Sequence, residues 1–93
     1  MRAGEIRIEK SHSLGLAEAN KRVHGMEAPL QKKYGVKLDW QGDSARVYGK
    51  GVEGNVLVSD DHVLVDLKLG LLLRPIASKI KSVLEEQLDK ALN

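Results

Sequence analysis

Residues Val63 to Pro75, reading VLVDLKLGLLLRP, constrain this chain more than any other stretch, because a two-residue alternation passes there into an apolar run and then a helix start. Val63, Val65, Leu67 and Leu69 alternate with Leu64, Asp66 and Lys68, the pattern of a strand with one buried face. Pro75 suits the first turn of a helix, where its missing N–H would have no partner anyway. Between them, Gly70 to Leu73 is too apolar for an ordinary connection. Leu71, Leu72 and Leu73 either close a core or form a surface.

The rest of the chain follows the same logic. Ile6 and Ile8 alternate with Glu5, Arg7 and Glu9, which predicts a short first strand. Leu16, Ala19, Val23, Met26, Leu30 and Tyr34 then recur at helical spacing, and Gly35 is a natural left-handed stop. Gly25 and Pro29 weaken that helix, and a kink or break is expected near Ala28. Four alternating segments follow, with inward sets Val36-Leu38-Trp40, Ala45-Val47, Val56-Val58 and Val63-Val65-Leu67-Leu69. Gly42-Asp43, Lys50-Gly51 and Asp60-Asp61 supply the turns of an antiparallel meander.

Those turns fix a register on the outward face. Asp39, Arg46, Asn55 and Asp66 form one row, Lys37, Tyr48, Glu53 and Lys68 a second, and Gln41, Ser44, Leu57 and Leu64 a third. Opposite charges meet and two leucines pair, each match worth a few tenths to ~1 kcal/mol, and a slip of one residue would mix the two faces. Finally, Ile76, Ile80, Val83, Leu84, Leu88, Ala91 and Leu92 lie on one stripe of a long closing helix from Pro75 to Leu92. The predicted architecture is α+β in the order β-α-β-β-β-β-α, a mostly antiparallel sheet with both helices packed on one face.

With 93 residues the chain is expected to form one domain, residues 1–93, burying roughly 60–65% of its unfolded surface. It has no cysteine, hence no disulfide or thiolate-metal chemistry. The absence of a cationic-then-apolar leader makes a cytoplasmic protein the expectation. The unbroken apolar runs, of which Leu71 to Leu73 is one, are far short of the roughly 18 residues a membrane helix needs. Fifteen basic and thirteen acidic residues nearly cancel to +2, and three aromatic residues, Trp40, Tyr34 and Tyr48, are too few for base stacking. Nucleic acid is therefore not an expected partner.

Motifs that could carry chemistry have structural readings that outrank the functional ones. Gly49-x-Gly51-x-x-Gly54 matches the dinucleotide fingerprint, but that motif must open a helix and here Asn55 to Val58 continues as a strand. His12, His24 and His62 share no metal spacing, and no cofactor or metal is expected. His62 beside Asp60 and Asp61 reads as a solvated turn. His12, between Ser11 and Ser13, reads as a turn-fixing or capping residue. Asp39, Arg46 and Asp66 on one row are explained by cross-strand pairing, and Trp40 by core packing. No nucleophile with an adjacent base can be read, so an enzyme is not expected.

Taken together, Ile6-x-Ile8, His12-Ser13-Leu14-Gly15, Ala19, Tyr34-Gly35, Trp40-x-Gly42-Asp43, Gly51-x-x-Gly54, Leu67-x-Leu69-Gly70 and Leu73-x-Pro75 span nearly the whole chain. In order and spacing they resemble the polyhydroxyalkanoic acid system proteins, a family of small bacterial proteins linked with polyhydroxyalkanoate storage. Pro29 departs from that pattern. The resemblance implies a non-enzymatic accessory or binding protein, with the polyester granule surface or granule proteins as partners, and it brings no catalytic residues. A granule surface calls for exposed apolar side chains, for which the candidates are Leu57, Leu64, Leu71, Leu72 and Leu73. The alternative is a small apolar-ligand-binding protein of shortened helix-grip type, whose last helix stands off the sheet over a cavity. Homodimerisation through the open sheet face or an edge strand is compatible with both.

Overall fold

The computed structural model describes residues 4–93. Its elements are β1 (Glu5–Ser11), α1 (Leu16–His24), α2 (Glu27–Tyr34), β2 (Lys37–Gln41), β3 (Ser44–Gly49), β4 (Val52–Val58), β5 (His62–Leu69), a 3-10 turn (Arg74–Ile76) and α3 (Ala77–Leu92). The five strands make one antiparallel sheet of order β1-β5-β4-β3-β2. This is the α+β architecture expected from the sequence, with the first helix in two pieces.

The predicted register holds pair by pair. Asp39 faces Arg46, Arg46 faces Asn55, and Asn55 faces Asp66; Lys37, Tyr48, Glu53 and Lys68 form the second row, and Gln41, Ser44, Leu57 and Leu64 the third. It holds because only this alignment sends Ala45, Val47, Val56, Val58, Val63, Val65, Leu67 and Leu69 to one face, where all are buried. β1, whose place the sequence left open, pairs with β5 through Ile6–Leu67 and Ile8–Val65, adding two buried isoleucines to that face. The chain then crosses from one edge of the sheet to the other through α1 and α2.

The break in the first helical region falls at Gly25-Met26, ahead of the Ala28 expected from Pro29. The Met26 N–H donates to the Val23 carbonyl at 3.0 Å, a tightened last turn that ends α1. Because α2 restarts at Glu27, Pro29 lies in its first turn, where no intrahelical N–H is lost. Gly35, left-handed at φ 67°, closes α2 with its N–H on the Gln31 carbonyl. Pro75 occupies the 3-10 turn leading into α3.

Core packing differs along the helices. In α1, Ala19 and Val23 are buried; in α3, Leu88 and Leu92 are buried while Ile80, Val83 and Leu84 are half-buried; α2 buries no residue fully. α3 lies along β1 and against α1, α1 covers β4, and α2 leans on β2. Long-range polar contacts hold these pieces. Lys10 pairs with Asp89 at 3.1 Å, Arg22 donates to the Ala91 and Asn93 carbonyls at 3.2 and 2.6 Å, and Glu27 accepts the Leu38 N–H at 3.2 Å.

Two glycines of the dinucleotide-like motif have separate backbone reasons. Gly51 takes φ +74° in the β3–β4 turn, and a Cβ on Gly54 would run into the Asp66 carbonyl oxygen on β5. Since backbone cannot yield as a flexible side chain can, Gly54→Ala is expected to destabilise the chain by more than about 3 kcal/mol. Urea unfolding of the variant measures this.

Candidate functional site

The five candidate leucines do not form one surface. Leu57 and Leu64 pair across β4 and β5 on the outer face, Leu57 44% exposed and Leu64 half-buried. Leu71 and Leu72 lie beyond the opposite end of β5, seven or more residues away from Leu64, a strand length of roughly 20 Å. There the Leu73 N–H donates to the Gly70 carbonyl at 3.0 Å and closes a tight turn. Leu71 and Leu72 stand on its outside, 75% and 94% exposed, whereas Leu73 turns in and packs over Gly51.

Leu73 marks one end of a groove whose apolar lining residues read in sequence mostly as core. α2 and α3 lie at opposite edges of the sheet, and between them Val47, Val56, Val65 and Leu67 form the floor of a recess of about 410 Å³. Met26, Leu30 and Tyr34 line one wall, and Ile76, Ile80, Val83 and Leu84 the other. Its volume falls in the ~300–1,000 Å³ range of small-molecule sites. Among the described residues, Lys50 and Lys79 are the charged ones of the lining, and no acidic side chain is among them. The whole α3 stripe was legible as core, and Ile80 and Leu84 do pack against the core cluster; that they also line a groove was visible only once α2 was placed at the far edge.

The Gly70 N–H donates to the Gly51 carbonyl at 2.8 Å, which brings the β3–β4 turn carrying Lys50 against the leucine loop. Leu71 and Leu72 thus adjoin the mouth of the groove. A larger depression of about 820 Å³ on the outer face is lined by Glu5, Arg7, Arg46, Glu53, Asp66 and Lys68. Its charges of both signs offset one another. The ion pair there, Arg7 to Asp66 at 3.8 Å, is largely exposed and contributes little to stability.

The histidines take structural positions. His12 Nδ1 accepts the Leu14 N–H at 3.2 Å, and its Nε2 lies 3.0 Å from the Ser59 carbonyl, which fixes the Nε2–H tautomer and ties the start of the helical region to the β4–β5 turn. His24 stacks on Trp40 with ring centroids 3.7 Å apart and planes 16° from parallel. That stack occupies the indole, which does not line the groove. His62 hydrogen-bonds Asp61 at 2.7 Å and thereby holds the Asp61 carboxyl below the usual carboxylate range. Among the described residues, no three histidine or carboxylate side chains converge as metal ligands, and no helix is long and apolar enough to cross a membrane.

The geometry defines a class: a one-sided antiparallel sheet gripped by helices, with an apolar groove and a protruding leucine loop at the same end. The chain belongs to the family described as "Putative polyhydroxyalkanoic acid system protein", whose model matches residues 6–92. Membership associates it with the polyhydroxyalkanoate system. No curated protein and no solved structure matches the chain.

Two outcomes follow from the histidine contacts. His12→Ala leaves the Ser59 carbonyl and Leu14 N–H unpaired and is expected to cost about 1–3 kcal/mol by urea unfolding. In His62→Ala the Asp61 carboxyl returns upward toward its ordinary range, read by NMR titration. A depressed folded-state value contributes stability that is present above the unfolded pKa and lost as pH falls through the folded one, so the variant is the less stable protein above the unfolded carboxyl pKa and the two converge in acid.

Proposed function

We propose that this chain is a non-enzymatic accessory protein of the polyhydroxyalkanoate system, in a cytoplasmic setting, that docks on the apolar granule surface or its proteins through Leu71 and Leu72. The exposure of these two adjacent leucines carries the reading. A turn needs polar or glycine residues to face water, and nothing in the packing of this turn calls for leucine at its two outermost positions. Fully burying a leucine against an apolar surface contributes about 1.5–3 kcal/mol, so two of them supply useful affinity without any enclosed site. Ile76, 46% exposed a turn later, extends the apolar edge.

A second reading is supported by the groove: a shortened helix-grip carrier, with α3 packed along the β1 edge and an apolar ligand lying beside it over the central strands. The half-buried state of Ile80, Val83 and Leu84 favours it, since the parts of these side chains that the core leaves uncovered line the groove. Both readings use the same end of the molecule.

Co-sedimentation with isolated polyester granules tests the first. A Leu71→Asp/Leu72→Asp variant is expected to lose most of the bound fraction while its folding stability stays within about 0.5 kcal/mol, as for substitutions at exposed positions. Undiminished binding by that variant eliminates the loop as the docking surface.

A further inference from the structure

We propose that the groove between α2, α3 and the sheet holds an acyl chain whose carboxylate head lies at the mouth beside Lys50 and Lys79. This rests on the carrier reading above and adds the chemistry of the ligand. The walls and floor offer the chain aliphatic side chains along their whole length, from Val47, Val56 and Val65 to Ile80 and Leu84. A purely apolar molecule would need nothing more. The charge of the lining, however, has a single sign. Lys50 and Lys79 are both exposed cations, neither takes part in an ion pair among the described residues, and no carboxylate in the lining offsets them.

Lys50 comes from the β3–β4 turn and Lys79 from the first turn of α3. Cations are disfavoured at a helix N-terminus by the macrodipole, and α3 has no acidic residue in its first turn. An anion at the mouth relieves that repulsion and leaves its alkyl tail directed to the groove. The ammonium groups remain at the water boundary, where long lysine stems can follow a head group without being desolvated.

Titration of the chain with decanoate and with decanol, followed by NMR of the valine, leucine and isoleucine methyls, tests the assignment. Both probes have the same tail and differ in the head. The expected shifts are at Val52, Leu73, Ile80 and Leu84, with Leu57 and Leu64 on the outer face unmoved. Decanoate is expected to bind about tenfold more tightly than decanol, the equivalent of about 1.4 kcal/mol. That preference should shrink in high salt and in Lys50→Gln/Lys79→Gln, whose exposed positions leave folding intact. Equal affinity for the two probes, or an undiminished preference in the double variant, overturns the carboxylate assignment and leaves the carrier reading standing. Absence of groove shifts with either probe overturns both, as do shifts that follow protein concentration alone, the mark of a second copy seating its own leucines there.

Discussion

A sheet with one apolar face must be covered by the helices the same short chain can supply, and the rest of this structure depends on how that is met. Five strands about 4.8 Å apart place the outer two roughly 19 Å from each other. Helices are about 10 Å across, so two lying side by side could just cover that width. Here α1 lies against β4, and its Ala19 and Val23 join Val58 and Val63 in the buried cluster. At the other end the cover is divided between α3 at the β1 edge and α2 at the β2 edge. The central strands there are left under the groove.

Much of this was legible. The side-chain period of two ties every inward residue to every other, so once Gly42-Asp43, Lys50-Gly51 and Asp60-Asp61 were read as turns, the three outward rows from β2 to β5 were determined. β1 was not placed, because Ile6 and Ile8 fit beside either edge and only the covering helices decide which. The helix break was anticipated from Pro29 but located two residues late. Proline is costly inside a helix and harmless in its first turn, and the break at Gly25-Met26 places Pro29 where that tolerance applies.

The contacts that fix helix positions were the least legible. Arg22 reaches carbonyls about seventy residues away at the end of α3, and no local pattern marks that partnership. Glu27 accepts the Leu38 N–H, so it both favours the start of α2 and occupies a backbone donor on the edge strand β2. Lys10 ties β1 to α3 through Asp89. These pairs are individually modest, yet they hold α2 and α3 at the two edges. The groove follows from their placement, which is why the residues lining it read in sequence as ordinary core.

The leucine loop follows from the same placement. Leu73 must turn inward, since Gly51 and the end of the groove would otherwise lose their cover, and the Gly70–Leu73 turn then forces its two central residues outward. Burying Leu71 and Leu72 would take another element over this end, and all three helices are already committed elsewhere. Turn geometry therefore explains why these positions are exposed but not why they are leucine. Serine, asparagine or aspartate would suit the turn better at no loss of packing. The choice of leucine at two positions where folding prefers polar residues, beside a groove whose lining includes two lysines without ion-pair partners among the described residues, has no explanation in the packing of this end of the molecule.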